Sequence, residues 1–142
     1  MKSNSLNAIS PIDGRYSEKT KKFIDFFSEQ ALIKYRVLVE IEYFIALTKT
    51  EIPSLKKFPK DSVKKIKNIY LNFSQNDAVL IKKIEEETNH DVKAVEYFLK
   101  NKFKELNLDK FQEFIHFGLT SQDINNTAIP LSIRYALNDI YI

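Results

Sequence analysis

Along most of the chain the apolar residues recur at helical rather than strand spacing. Val92, Val95, Leu99 and Phe103 repeat at i, i+3, i+7 and i+11, which predicts one apolar stripe on a helix beginning near Asp91. From Ser28 to Thr48 the sequence is apolar almost all round, the pattern of a helix buried against several neighbours. After Pro53 and Pro59, Asp61 to Phe73 reads as a short basic helix. Ser74 with Asp77 three residues on forms a capping pair for the next helix, whose inward face reads Leu80, Ile81 and Ile84. Lys110 to Phe117 is an aromatic-rich helical turn that Gly118 can end in the left-handed conformation. Thr120, with Asp123 behind it, caps a last helix that places Ile124, Leu131 and Tyr135 on one face. Pro130 is expected to kink that helix by leaving the Asn126 carbonyl without its donor. The strongest turn signal is Ser10-Pro11-Ile12-Asp13-Gly14, which would present Arg15 and Tyr16 at the mouth of a first helix starting near Ser17. The expected fold class is all-α.

Composition narrows the chemistry. With only two glycines in 142 residues, Gly14 and Gly118, no Gly-rich phosphate loop can be built. The chain has no cysteine, so disulfides, thiol nucleophiles and thiolate zinc sites are excluded, and His90 and His116 alone cannot form a three-histidine zinc centre. No metal and no cofactor is called for. The segment Met1 to Ser10 has no apolar core of the secretory kind. The richest apolar segment is interrupted by Lys34, Arg36, Glu40 and Glu42, short of the ~18 residues a membrane span needs. These features predict a soluble, intracellular (cytoplasmic) protein. The net charge of +3 is small, and the lysines between Lys56 and Lys67 read as a solvated face rather than a nucleic-acid contact. The last helix meets no stop signal before Ile142, which suggests the front part of a longer protein, cut inside a long helix.

Three polar clusters stand out. Asn89-His90-Asp91 opens one helix, His116 precedes Thr120-Ser121 at the start of another, and Arg15-Tyr16 follows the first turn. Helix amino termini carry unpaired N–H groups and partial positive charge, which suits anions, and Arg15 can grip a phosphate or carboxylate bidentately. The clusters therefore read as parts of one anion site. Each also has a plainer reading: the histidines as caps or satisfied boundary residues, Thr120 and Ser121 as simple capping, Arg15-Tyr16 as a surface pair. Asn125-Asn126 inside a helix is locally unfavourable, so a group outside the helix is expected to compensate. Taken alone, these patterns leave the function open.

In order, however, Ser10 to Tyr16, Thr88-Asn89-His90-Asp91-Val92-Lys93-Ala94-Val95-Glu96-Tyr97-Phe98 and His116-Phe117-Gly118-Leu119-Thr120-Ser121-Gln122-Asp123-Ile124-Asn125-Asn126 closely resemble bacterial adenylosuccinate lyase. The last element alone would indicate only the wider fumarase and aspartase superfamily. The resemblance spans essentially the whole chain but only the amino-terminal part of the family. It implies an amino-terminal helical domain over residues 1–110 and the beginning of the central helical bundle over 111–142. It also implies a homotetramer whose active sites each combine segments of three subunits. The implied reaction is β-elimination, releasing fumarate from adenylosuccinate to give AMP and from SAICAR to give AICAR.

By the same resemblance, Arg15 and Tyr16 match a nucleotide-binding pair, and Asn89, His90 and Asp91 a substrate-binding segment, with His90 assisting beside the catalytic acid. His116 matches a histidine associated with the substrate phosphate, and Thr120 with Ser121 a pair that hydrogen-bonds a substrate carboxylate. Such a reaction needs donors and cations around a developing aci-carboxylate. The family's Thr-His-Gly-Gln and Ser-Ser-x-Met-Pro-x-Lys motifs, which carry its catalytic histidine and serine, do not occur here, so the chain by itself is expected to be inactive. The rivals are another superfamily lyase, such as one acting on argininosuccinate, and a non-catalytic helical interaction module.

Overall fold

A computed structural model describes residues 6–141. Residues 1–5 and Ile142, which bear on the signal-segment and helix-end readings, lie outside the described residues. The described residues form six α-helices with short 3-10 turns between them, and no strand. The helices are α1 (Ile24–Phe27), α2 (Glu29–Leu47), α3 (Ser62–Leu71), α4 (Gln75–Thr88), α5 (Asp91–Glu105) and α6 (Ser121–Ile140).

The 19-residue α2 is the centre around which the others pack, with α6, α3, α5, α4 and α1 all against it. Its start is fixed by Ser28, whose hydroxyl oxygen accepts from the Ala31 N–H at 3.1 Å. Its buried positions run nearly all round the helix, from Ile33, Val37 and Phe44 on one side to Ala31 and Tyr35 on the other, as the near-uniform apolar pattern requires. The predicted stripe of α5 is buried at Val92, Val95, Leu99 and Phe103. Phe44 of α2 stands edge-on to Phe103 of α5 at 4.9 Å and to Phe58 at 5.2 Å. Phe58 stands edge-on to Phe111 in the 3-10 turn Asp109–Phe114, so this turn shares the core of α2 and α5.

The predicted Ser74–Asp77 cap is complete. Ser74 N–H donates to Asp77 Oδ2 at 2.9 Å, and Asp77 N–H donates back to Ser74 Oγ at 3.3 Å. Replacing Ser74 by alanine removes one arm of this box at an exposed site and is expected to cost about 1 kcal/mol in urea unfolding, with an unchanged m-value.

Several expectations need correction. The first helix does not start near Ser17: residues 11–19 are successive turns, and the first helical residues are the 3-10 turn Lys21–Phe23 leading into α1. There Ser10 N–H and hydroxyl both donate to Asp13 Oδ1, and Tyr16 N–H donates to the Pro11 carbonyl at 2.8 Å, so local bonds consume the amides a helix would use. Leu80 is not inward-facing but 47% exposed, because α4 buries Ala78 and Ile81, and Leu80 sits about 100° from Ile81 around the helix. The inward face of α6 is Ile124, Ala128, Ser132 and Ala136 at spacings of four, with Leu131 and Tyr135 at its edge. The small residues allow close approach to α2, where Ala128 packs with Ala31 and Tyr35. As expected, α6 continues past Pro130, where Ser132 hydroxyl donates to the Ile129 carbonyl at 2.9 Å. The aromatic-rich turn ends at Phe114, before His116 and Gly118 both adopt left-handed backbone (φ 59° and 73°), so Gly118 serves the loop rather than a helix end.

Candidate functional site

The amino termini of α5 and α6 meet beside the middle of α2. Arg36 of α2, only 6% exposed, is the joint between them. Its Nη2 pairs with Asp91 Oδ2 at 2.7 Å, and its Nε donates to Asn125 Oδ1 at 2.9 Å. Asn125, unfavourable on its own helix, is thus held by a partner 89 residues away in sequence. Asn126 finds its partner within the helix, accepting from Gln122 Nε2 at 2.6 Å.

His90 occupies the cap of α5, where its Nδ1 accepts from the Lys93 N–H at 3.1 Å. Its Nε2 lies 3.3 Å from Ser121 Oγ, the first residue of α6. Asn89 ends α4 in left-handed backbone (φ 50°), a conformation asparagine tolerates, and this reverses the chain so that α4 hands directly to α5. Asn89, His90 and Asp91, with Lys82, Glu85 and Glu86 of α4, line an open cavity of about 550 Å³. Thr120 is held by the Asp123 carboxylate, which accepts from its N–H at 2.7 Å and its hydroxyl at 2.9 Å; these bonds hold Asp123 below the usual carboxylate range.

Burial alone would raise the Asp91 carboxyl, but the Val92 N–H and the Arg36 guanidinium outweigh it and leave the pKa lowered from 3.8. A lowered pKa contributes stability above the unfolded value that is lost as pH falls through the folded one. Urea unfolding of an Asp91→Asn variant is therefore expected to show a flatter loss of stability than the parent as pH falls below about 4. An equal slope in both would mean that Asp91 is not coupled to Arg36 in solution.

His116 sits behind this cluster. Its Nδ1 meets Glu40 Oε1 of α2 at 2.5 Å, and Glu40 is 1% exposed. The loop that follows His116 is pinned by Tyr43, whose hydroxyl donates to the Phe117 carbonyl at 2.8 Å. The structure therefore brings Asn89, His90, Asp91 and Ser121 to one place, with Thr120 adjacent in the chain and His116 tied to the same helix α2. Arg15 and Tyr16 are not joined to this network by hydrogen bonds. The Arg15 guanidinium lies 4.6 Å above the Tyr16 ring, and both side chains are exposed. Sequence reasoning missed Arg36 and Glu40 as site-building residues. Their signal was available: two opposite charges four residues apart, Arg36 and Glu40, on one face of a largely apolar helix. Among the described residues no group of three or more His, Asp or Glu side chains is arranged to hold a metal ion, and no helix is long and apolar enough to cross a membrane.

A sequence family described as lyase matches residues 14–141. The chain belongs to that lyase family. Among its relatives, the adenylosuccinate lyase of Dictyostelium discoideum is 57% identical over 98% of this chain. That of Buchnera aphidicola from Schizaphis graminum is 47% identical, and that of Escherichia coli K12 is 43% identical, each over 100% of this chain. This lyase-family chain spans 31% to 32% of the length of these relatives.

Proposed function

We propose that this chain supplies the substrate-binding part of an adenylosuccinate lyase. The activity would cleave adenylosuccinate to AMP and fumarate, and SAICAR to AICAR and fumarate, by β-elimination in purine biosynthesis. The observation that carries the reading is the Arg36 joint, which brings two motifs more than thirty positions apart into one polar corner at two helix amino termini. Elimination next to a carboxylate builds negative charge on that carboxylate, and helix amino termini with hydroxyl donors stabilise such charge. In this reading Thr120 and Ser121 hydrogen-bond a substrate carboxylate, and Asn89, His90 and Asp91 line the substrate, with His90 assisting the catalytic acid. His116 serves the phosphate end, and Arg15 and Tyr16 hold the nucleotide.

The same reading assigns residues 1–110 to an amino-terminal domain and 111–142 to the beginning of a central helical bundle, in a cytoplasmic homotetramer. Support for the assembly comes from α6 and its cap residue, where Ile129, Ile133, Leu137 and Tyr141 recur at spacings of four and are 45%, 45%, 49% and 73% exposed. The test is fumarate release by protein produced from the whole reading frame that contains these residues. Release from adenylosuccinate and not from argininosuccinate is expected; release from argininosuccinate alone would overturn the reading.

A further inference from the structure

Glu40 is a poor residue for the place it occupies if packing were its only task. It is 1% exposed in the core of α2, its Oε1 meets His116 Nδ1 at 2.5 Å, and its Oε2 is buried without a hydrogen-bond partner. A carboxyl buried with one oxygen unsatisfied costs stability that leucine would not. Around the pair, Glu96 of α5 adds negative charge near Glu40 but is itself bound by Lys93 and Lys100, and Asp123 of α6 is the acid that senses His116. What glutamate does here and leucine cannot is hold a hydrogen against one nitrogen of the imidazole.

We propose that Glu40 is a positioning residue that keeps a hydrogen on His116 Nδ1 and so makes Nε2 the ring atom through which His116 meets a ligand. His90 is held in the opposite form. Its Nδ1 accepts from the Lys93 N–H, so the neutral ring carries its hydrogen on Nε2, beside Ser121 Oγ at 3.3 Å. The two histidines thus offer unlike atoms: His90 a fixed Nε2–H donor, and His116 an Nε2 lone pair that becomes a donor only on taking a second proton. Burial pushes the Glu40 carboxyl up, and the His116 ring and backbone N–H pull it only part of the way back, so it stays above the usual carboxylate range. That His116 meets a ligand rests on the proposed function; the positions of the hydrogens rest on the geometry alone.

The chain has two histidines, so long-range proton–nitrogen correlation on the labelled protein at alkaline pH resolves both rings, and a His90→Gln variant assigns them. The expected spectrum shows His116 as the Nδ1–H form and His90 as the Nε2–H form. In Glu40→Leu the Nδ1–H form of His116 is expected to be lost in favour of the Nε2–H form that unconstrained imidazole prefers, with His90 unchanged. Should that variant fail to fold, Glu40→Asp, which keeps the charge but withdraws the oxygen by one methylene, is expected to show the same loss. Finding His116 as Nε2–H in the native protein, or as Nδ1–H regardless of residue 40, overturns the proposal. Adding inorganic phosphate to the native protein near neutral pH, where an imidazole can take its second proton, tests the site reading separately. A change at His116 Nε2 is expected; its absence with the Nδ1–H form intact counts against the substrate reading while the role of Glu40 stands.

Discussion

Truncating Phe44 to alanine is expected to lower the unfolding free energy by about 4 kcal/mol, the largest single-site effect foreseen for this chain. Phe44 is 1% exposed and meets two rings edge-on, Phe103 at 4.9 Å and Phe58 at 5.2 Å. Its removal opens a cavity between α2, α5 and the turn carrying Phe58. It also deletes two aromatic pairs that contribute roughly 0.5–1.5 kcal/mol each beyond burial. Two packed helices and the Phe58 turn limit how far the cavity can collapse, so the loss falls in the upper part of the usual range. Set against the ~5–15 kcal/mol typical of whole domains, such a loss leaves the fold marginal. The midpoint of thermal unfolding is expected to fall by roughly 10–15 °C. Leu80→Ala is the control: Leu80 is 47% exposed, and its truncation is expected to cost less than about 1 kcal/mol. Comparable losses in the two variants would mean that α4 is rotated toward the face read from its sequence, with Leu80 inward.

The contrast between buried Phe44 and half-exposed Leu80 shows what local pattern carries. The extent of α2, the stripe of α5 and the box of Ser74 and Asp77 were legible because caps and i, i+3, i+4 spacings act within a few residues. Leu80 and Tyr135 were misplaced because a helix of mixed polarity presents two neighbouring faces of similar hydrophobicity, and only the partner helix decides between them. On α6 the partner selects small residues, Ala128, Ser132 and Ala136, which no hydrophobicity pattern favours. The residues of the polar corner were legible one by one. Arg36 and Glu40 were legible only as charges four residues apart on a largely apolar helix; their partners, Asn125 and His116, lie 89 and 76 positions away, and pairings at that range leave no trace in local periodicity.

Arg36→Met provides the sharpest test of the corner itself and is expected to cost about 2 kcal/mol. The guanidinium is nearly buried, with its side chain 7% exposed, and makes one charge-assisted bond to Asp91 and one to Asn125. Breaking a fully buried ion pair costs roughly 3–5 kcal/mol because a bare charge remains inside. Asp91 is 43% exposed, so water takes over part of its solvation and the smaller figure applies. Methionine fills most of the vacated volume, which separates the lost bonds from lost packing. Arg36→Lys retains the charge but not the planar fork: an ammonium can reach Asp91 yet cannot also hold Asn125 in the same geometry, so an intermediate loss is expected. A double-mutant cycle between Arg36→Met and Asn125→Ala is expected to return a coupling of about 1 kcal/mol, since the two residues share one bond. A further consequence concerns the site. With the joint gone, α5 and α6 lose the side-chain tie between their amino termini, and the 3.3 Å approach of His90 Nε2 to Ser121 Oγ is less well fixed. The His90 ring signals of Arg36→Met are therefore expected to move toward those of a Ser121→Ala variant while the core signals of Phe44 and Phe103 stay in place. Unchanged His90 signals together with a full 2 kcal/mol loss would mean that Arg36 stabilises the fold without organising the corner.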